Sequence, residues 1–342
     1  MISAFRGETR PIRREDCQMR VSRRLLMAGL AAGVLAAPAA AQTSVTLTHP
    51  LGPDSHYGVG AIAFKETVER LTNGRFRVTI QRNDNEREAI EATQIGTQEF
   101  TITSTGPVGN FVPDTLVLDI PFLFRDYDHA RGVLDSPIGQ DLLARFTPRG
   151  LIGVAWMENG FRNLTNSRRE VASPADVQGL KVRTMENPVH MRAFQTLGAL
   201  PTPMAFAELV PALQQGTVDG QENPITVIVA NNLNQVQRFL SLTRHVYSPA
   251  VMIGNPAFWN RLNAADRAAF QEAARAAVKT NRDRVTLDEQ RGVQLLRERG
   301  MTVREDVDTA AFQRALAPAF EHYARQFDAA LIQRIRDWQP GS

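Results

Sequence analysis

A helix stopped by glycine and followed by a strand occurs twice in this chain with the same internal spacing, and that recurrence constrains the fold more than any other feature. Glu88 is followed by Gln94, Gly96 and Thr97; 120 residues later, Glu208 is followed by Gln214, Gly216 and Thr217. Around the first set, residues 86–94 read as helix, Gly96 as its stop and 100–103 as strand. Around the second, Phe206 precedes a helix ended by Gly216, and Val218 leads into Gly220-Gln221-Glu222-Asn223-Pro224. Such units in both halves predict two similarly built α/β lobes. Ligand sites in proteins of that kind lie at the junction.

The remaining pattern extends this plan. Residues 45–48 read as the first strand, 61–71 as a helix ended by Asn73-Gly74, and 76–81 as the second strand. Residues 263–299 contain Gly292 but no proline and are rich in Ala, Arg, Glu and Gln. That predicts one long helix, or two abutting ones, running from one lobe to the other. A short strand over 301–304 and a helix over 309–338 close the chain. No low-complexity stretch or Gly/Ser linker divides the 342 residues.

The first 41 residues have a different character. Arg23-Arg24 precede an apolar run from 25 to 37, and Ala39-Ala40-Ala41 offers a small-residue cleavage site before Gln42. This predicts an export signal, by the general or the twin-arginine route, and a periplasmic product. Its removal takes seven arginines and three acids, leaving 32 basic against 33 acidic residues. The formal net charge of +3 is therefore a property of the leader. The mature chain gives no reason to expect nucleic acid as a partner and is read as a monomer. Cys17, the sole cysteine, goes with the leader, so no disulfide or thiol nucleophile is expected, and no cysteine offers a lipid anchor at the cleavage site.

Residues 180–184, Leu-Lys-Val-Arg-Thr, alternate apolar and polar like a half-buried strand, so Arg183 leaves the face opposite Val182 near the strand's end. Asn187-Pro188 reads as an N-cap with proline at the first helical position, and Gly198 ends that helix. A helix N-terminus beside Arg183 adds to the pull on an anion. The strings GLKVR from Gly179, PTPMAFAELVPALQQGTVDGQENP from Pro201 and VQRFLSLTRHVYSP from Val236 closely resemble the extracytoplasmic solute receptors of TRAP transporters, the DctP-like family. The resemblance covers essentially the whole mature chain.

The resemblance implies a two-lobed periplasmic-binding-protein fold of type II-like α/β architecture, with the ligand in the interlobe cleft and a long helix linking the lobes. The lobes are expected at 42–159 with 250–288, and at 160–249 with 289–342. It also implies a small organic acid as ligand, a membrane permease as partner, and no catalysis or cofactor. Arg183 would grip the ligand carboxylate with its planar donor fork, which stays charged at any relevant pH. Arg162, in the strand entering the second lobe, would add a contact; on composition alone it could instead pair with Glu158. Asn223 would orient the carboxylate or cap the helix after it, and Phe206 would wall the pocket. From the first lobe come Ser104 and Thr105, where members with acidic sugar ligands can carry glutamate at the position of Ser104. His49 and His56 flank the loop after the first strand, and His49 is included among the candidates. His190 shares a helical stripe with Ala193, Phe194 and Leu197, the usual setting of a structural histidine.

Two other classes were open. Gly58, Gly60 and Ala63 fit GxGxxA before a helix, with Asp84 near the end of the next strand, as in a dinucleotide-binding oxidoreductase. However, ten residues including Pro50 and Pro53 separate the strand from Gly58, whereas that fingerprint needs its glycines directly after the strand. A sensory ectodomain using the same lobes is disfavoured because no membrane-spanning run follows the leader. No histidines have zinc-type spacing, so no metal is expected.

Overall fold

The computed structural model describes residues 42–340, and the leader assigned to residues 1–41, with Cys17, lies outside them. The described strands are β1 (Thr43–His49), β2 (Phe76–Arg82), β3 (Phe100–Ser104), β4 (Ile152–Asn166), β5 (Lys181–Thr184), β6 (Leu200–Pro203), β7 (Gly220–Pro224), β8 (Phe239–Gly254) and β9 (Thr302–Arg304). The helices are α1 (His56–Leu71), α2 (Glu86–Ile95), α3 (Thr105–Val108), α4 (Tyr127–Asp135), α5 (Pro137–Ala144), α6 (Pro188–Thr196), α7 (Phe206–Gln214), α8 (Ile225–Ala230), α9 (Pro256–Arg261), α10 (Ala264–Glu298), α11 (Thr309–Ala315), α12 (Ala317–Gln326) and α13 (Ala329–Asp337).

The strands form one sheet ordered β2-β1-β3-β8-β4-β7-β5-β6, with β9 beside β8. Its two long strands, β4 and β8, are antiparallel partners that each serve two half-sheets. Residues 250–254 of β8 pair with β3, residues 239–241 pair with β9, and residues 162–166 of β4 pair with β7. Between those halves the β4–β8 register slips at Glu158/Gly160 and again at Arg162/Leu164. Gly160 sits there at φ +120°, a conformation closed to other L-residues without strain. Bulges bend and twist a ladder, and these mark the passage from one lobe to the other.

The recurrence in the sequence is a recurrence in the structure. Gly96 and Gly216 end α2 and α7 in the left-handed region, at φ +85° and +69°. The next residue reaches back in the same way in both copies: Thr97 N donates to Ala92 O and Thr217 N to Ala212 O, each at 3.0 Å. Strands β3 and β7 then begin at Phe100 and Gly220, and the short helices α3 and α8 follow at Thr105 and Ile225.

Helix α10 runs unbroken for 35 residues, about 50 Å at 1.5 Å per residue. It packs on α1 near its start and on α8 near its end, where Gly292 lets Ile225 approach. The single helix expected over 309–338 is instead three, because Pro318 starts α12 and Asp328 caps α13. The last of these returns to α4, where His129 Nε2 meets Ile335 O at 2.8 Å and Arg125 Nη1 donates to Arg336 O at 2.6 Å. Gly58 and Gly60 lie inside α1, which starts at His56 because Ser55 caps it. A Cβ on Gly58 would collide with Pro53 O, so this glycine lets the loop before α1 return tightly.

Apolar packing fixes both faces of the sheet. Phe64, Phe76, Phe100, Phe258 and Phe270 make a buried aromatic group with ring centroids 5.2–6.2 Å apart under β1–β3. Leu209, Leu213, Ile225, Ile228 and Leu296 join α7, α8 and α10 under the second half.

Candidate functional site

The ends of β3, β5 and β7 converge, and each delivers a polar side chain into one small space. Ser104 comes from β3, Arg183 from β5 and Asn223 from β7. Tyr57, Glu86, Asn159 and Phe206 join them, with Leu51, Met185 and Val227 as apolar wall. The space is small, about 20 Å³, which is room for about one water molecule. A larger groove of about 730 Å³ lies elsewhere, between α4, α5, β4 and α10. Its cations are already answered, Arg131 by Glu158 and Arg282 by Asp135.

Arg183 is 2% exposed. Its Nε and Nη2 both donate to Met204 O, at 3.1 and 2.7 Å, so one edge of the guanidinium is anchored on the backbone before α7. Among the described residues no carboxylate stands within ion-pair distance of it. Burial, with the charge of Arg162 adding, lowers its pKa to about 10, which leaves it a cation at neutral pH. This is a desolvated positive charge that no protein carboxylate pairs with directly; Glu222, Glu86 and Glu186 act on it only from a distance.

Arg162 is in the opposite situation. It is fully buried and its Nε and Nη2 grip the carboxylate of Glu222, not Glu158, while Nη2 also reaches Glu222 O and, at 3.3 Å, Asn223 Oδ1. Its Nη1 is buried without a partner. Burial alone would raise the pKa of Glu222; Arg162, His245 and His190 reverse this and hold it well below the usual carboxylate range. His245 Nε2 stands 3.2 Å from Glu222 Oε2, and burial lowers its pKa. His190 lies between two buried acids, 3.7 Å from Asp119 and 3.8 Å from Glu222. The charge of Arg162 is thus met by Glu222 within this layer, beneath the space that Arg183 faces.

Asn223 is tied on both sides, its amide nitrogen donating to Gln221 Oε1 and its oxygen accepting from Arg162. It does not cap α8, whose N-cap is Pro224. Phe206 opens α7 and stands in the wall of the space, as does Ser104. Thr105 is turned away from it, because its hydroxyl bonds Asp119 at 2.8 Å. His49 is also outside the lining: it is buried behind the loop, where burial and then Arg82 lower its pKa to about 4. Two residues further on, Leu51 takes the place in the wall. His56 bonds Asn159 at 3.1 Å from the inside of α1, its pKa lowered to about 3 by burial.

Glu86 was read only as a helix start and Met185 was not singled out, yet both line the space. Glu86 Oε1 accepts from Thr103 Oγ1, Ser104 N and Ser104 Oγ at 2.9–3.1 Å, which fixes the carboxylate at the cleft. Among the described residues no trio of His, Cys, Asp or Glu could hold a metal ion, and no helix is long and apolar enough to cross a membrane.

Two lobes joined by crossing strands, with a buried unpaired arginine between them, define a solute-binding receptor of the periplasmic type. The profile of the bacterial extracellular solute-binding protein family 7, DctP, matches residues 47–326, and the chain belongs to that family. It is similar, at 51% identity and a TM-score of 0.86, to a TRAP periplasmic solute-binding protein of a Polaromonas species bound to D-erythronate; the match covers 87% of this chain and 99% of that one. A Bordetella TRAP receptor with pantoate assigned to its density is 50% identical, with a TM-score of 0.85, over 87% and 100% of the two chains. The 2,3-diketo-L-gulonate-binding periplasmic protein YiaO of Escherichia coli is 35% identical over 85% of this chain and 89% of its own. Members of this family are receptors that work with membrane permeases.

Proposed function

We propose that the cleft captures a short hydroxy acid by its single carboxylate and presents it to a TRAP-type permease. One observation carries this: Arg183 is buried, charged, anchored along one edge and without a protein carboxylate at ion-pair distance, while the charge of its neighbour Arg162 is paired with Glu222. A bound carboxylate supplies the missing charge, and the outer edge of the fork matches its two oxygens. Glu86, Ser104, Asn159 and the unpartnered hydroxyl of Tyr57 suit the hydroxyl groups of the rest of the molecule. A second carboxylate there would meet Glu86, so a monoacid fits the site better than a dicarboxylate. The D-erythronate and pantoate of the similar receptors are acids of this kind.

The mature protein is proposed to start at Gln42 in the periplasm, which N-terminal sequencing of exported protein would show. It acts as a monomer without nucleic acid and without converting its ligand. Its lobes fall at 42–159 with 250–288 and at 160–249 with 289–342, α13 reaching back from the second onto α4. Calorimetry with D-erythronate tests the carboxylate grip. Arg183→Ala should lose about a hundredfold or more in affinity, and Arg183→Lys should recover part of it, since an ammonium keeps the charge without the fork. Near-wild-type affinity in Arg183→Ala would overturn the assignment.

A further inference from the structure

The strand period that turns Arg183 into the cleft turns Met185 the same way two residues later, just past the end of β5. Its thioether crosses to the other lobe: Sδ lies 3.3 Å from Ser104 Oγ, whose proton goes to Glu86, and Cε lies 2.5 Å from where a Cβ on Gly106 would stand. Gly106 leaves room for it in this position. On one side of this side chain is the space of about 20 Å³ already described, and on the other a second of about 10 Å³ that reaches toward Arg87 and Pro107. Glu86, Arg183, Met185 and Phe206 border both. Arg183 is held by Met204 O and Glu86 by β3, and Phe206 is packed against both flanking cores. Met185 is the flexible, unbranched member of that wall.

We propose that Met185 sets the length of acid the cleft accepts, confining it to short chains by standing as the partition between the two spaces. This rests on the carboxylate-capture reading. Shortening the side chain joins the spaces along the line that starts at Arg183, and a longer polyhydroxy acid with the same carboxylate end then fits.

Calorimetric titration of the mature protein with D-erythronate, a four-carbon acid, and D-galactonate, a six-carbon acid, tests it. The wild type should favour erythronate by about tenfold or more, the scale on which an apolar wall discriminates by size. Met185→Ala should move that ratio toward galactonate by about tenfold or more, and Met185→Val should move it part of the way. The valine variant keeps the test decisive if the alanine variant is unstable. Unchanged ratios in variants that still bind erythronate would overturn the length proposal and leave carboxylate capture standing. Equal affinity of the wild type for the two acids, or loss of both acids in a folded Met185→Ala protein, would overturn it as well. If neither acid binds the wild type, capture of a hydroxy acid fails and the length proposal fails with it.

Discussion

Replacing Glu222 by glutamine removes one negative charge and almost no volume, so its effect isolates electrostatics from packing. Both Glu222 and Arg162 are 0% exposed, and the pair is held by two side-chain hydrogen bonds plus one to Glu222 O. In Glu222→Gln the guanidinium keeps the backbone oxygen and Asn223 Oδ1 but loses its counter-ion, and the new amide presents donors to other donors. Leaving a buried charge uncompensated costs about 3–5 kcal/mol. That is about a fifth or more of the ~5–15 kcal/mol by which a domain is stable. Arg162→Met alone strands the carboxylate and should cost a similar amount. The double variant Arg162→Met/Glu222→Leu strands neither and should recover most of the loss, because buried ion pairs gain little over well-packed apolar side chains. Urea unfolding monitored by tryptophan fluorescence reads all four proteins, provided the slope with denaturant stays constant. A Glu222→Gln loss below about 1 kcal/mol, or a double variant as unstable as the two losses added, would refute this account of the pair.

Acid should destabilise the protein in two separate windows. The folded pKa values of His49 and His56 lie near 4 and 3, below the usual 6.5, so the unfolded chain binds their protons first. Their stabilisation is complete above pH 6.5 and falls as pH drops toward 4, by on the order of 2 kcal/mol each at pH 4.5; Glu222, with its lowered pKa, adds its loss only below about 4.5. Unfolding free energy that is flat between pH 7 and 4.5, or unaltered in slope by His49→Asn, would contradict the histidine window. The lobes should also part to admit ligand, since a space of about 20 Å³, room for about one water molecule, does not hold a four-carbon acid. Small-angle scattering should then show a larger radius of gyration without ligand than with it, and an equal radius at saturation would argue against hinging at the β4–β8 bulges.

The parts of the fold legible in the sequence are those specified locally. A glycine that must take positive φ ends α2 and α7 wherever it falls, and so the two units could be matched from their spacing. Strand β6 carries Pro201 and Pro203, which a central strand does not accept. It is a strand because it lies at the end of the sheet, paired only with β5, where a missing donor faces no neighbour. The break between α11 and α12 could have been read from Pro318, which cannot continue a helix from one turn before. The start of α1 could have been read from Ser55, whose hydroxyl accepts from Gly58 N.

The site divides along the same line. Period-two alternation alone puts Arg183 on the cleft face, and continuing the count by one step would have found Met185. The partner of Arg162 could not be found this way. Glu158, four residues off, is near in sequence, but it faces Arg131 across the other side of β4, whereas Glu222 arrives from 60 residues away through the pairing of β4 with β7. Two arginines that look equivalent in the sequence are thus separated by register: β7 brings Glu222 into a pair with the first and sets Gln221 opposite the second. That difference is the ground for proposing Arg183 as the charge a ligand answers, while Arg162, held by Glu222, keeps only its buried Nη1 without a partner.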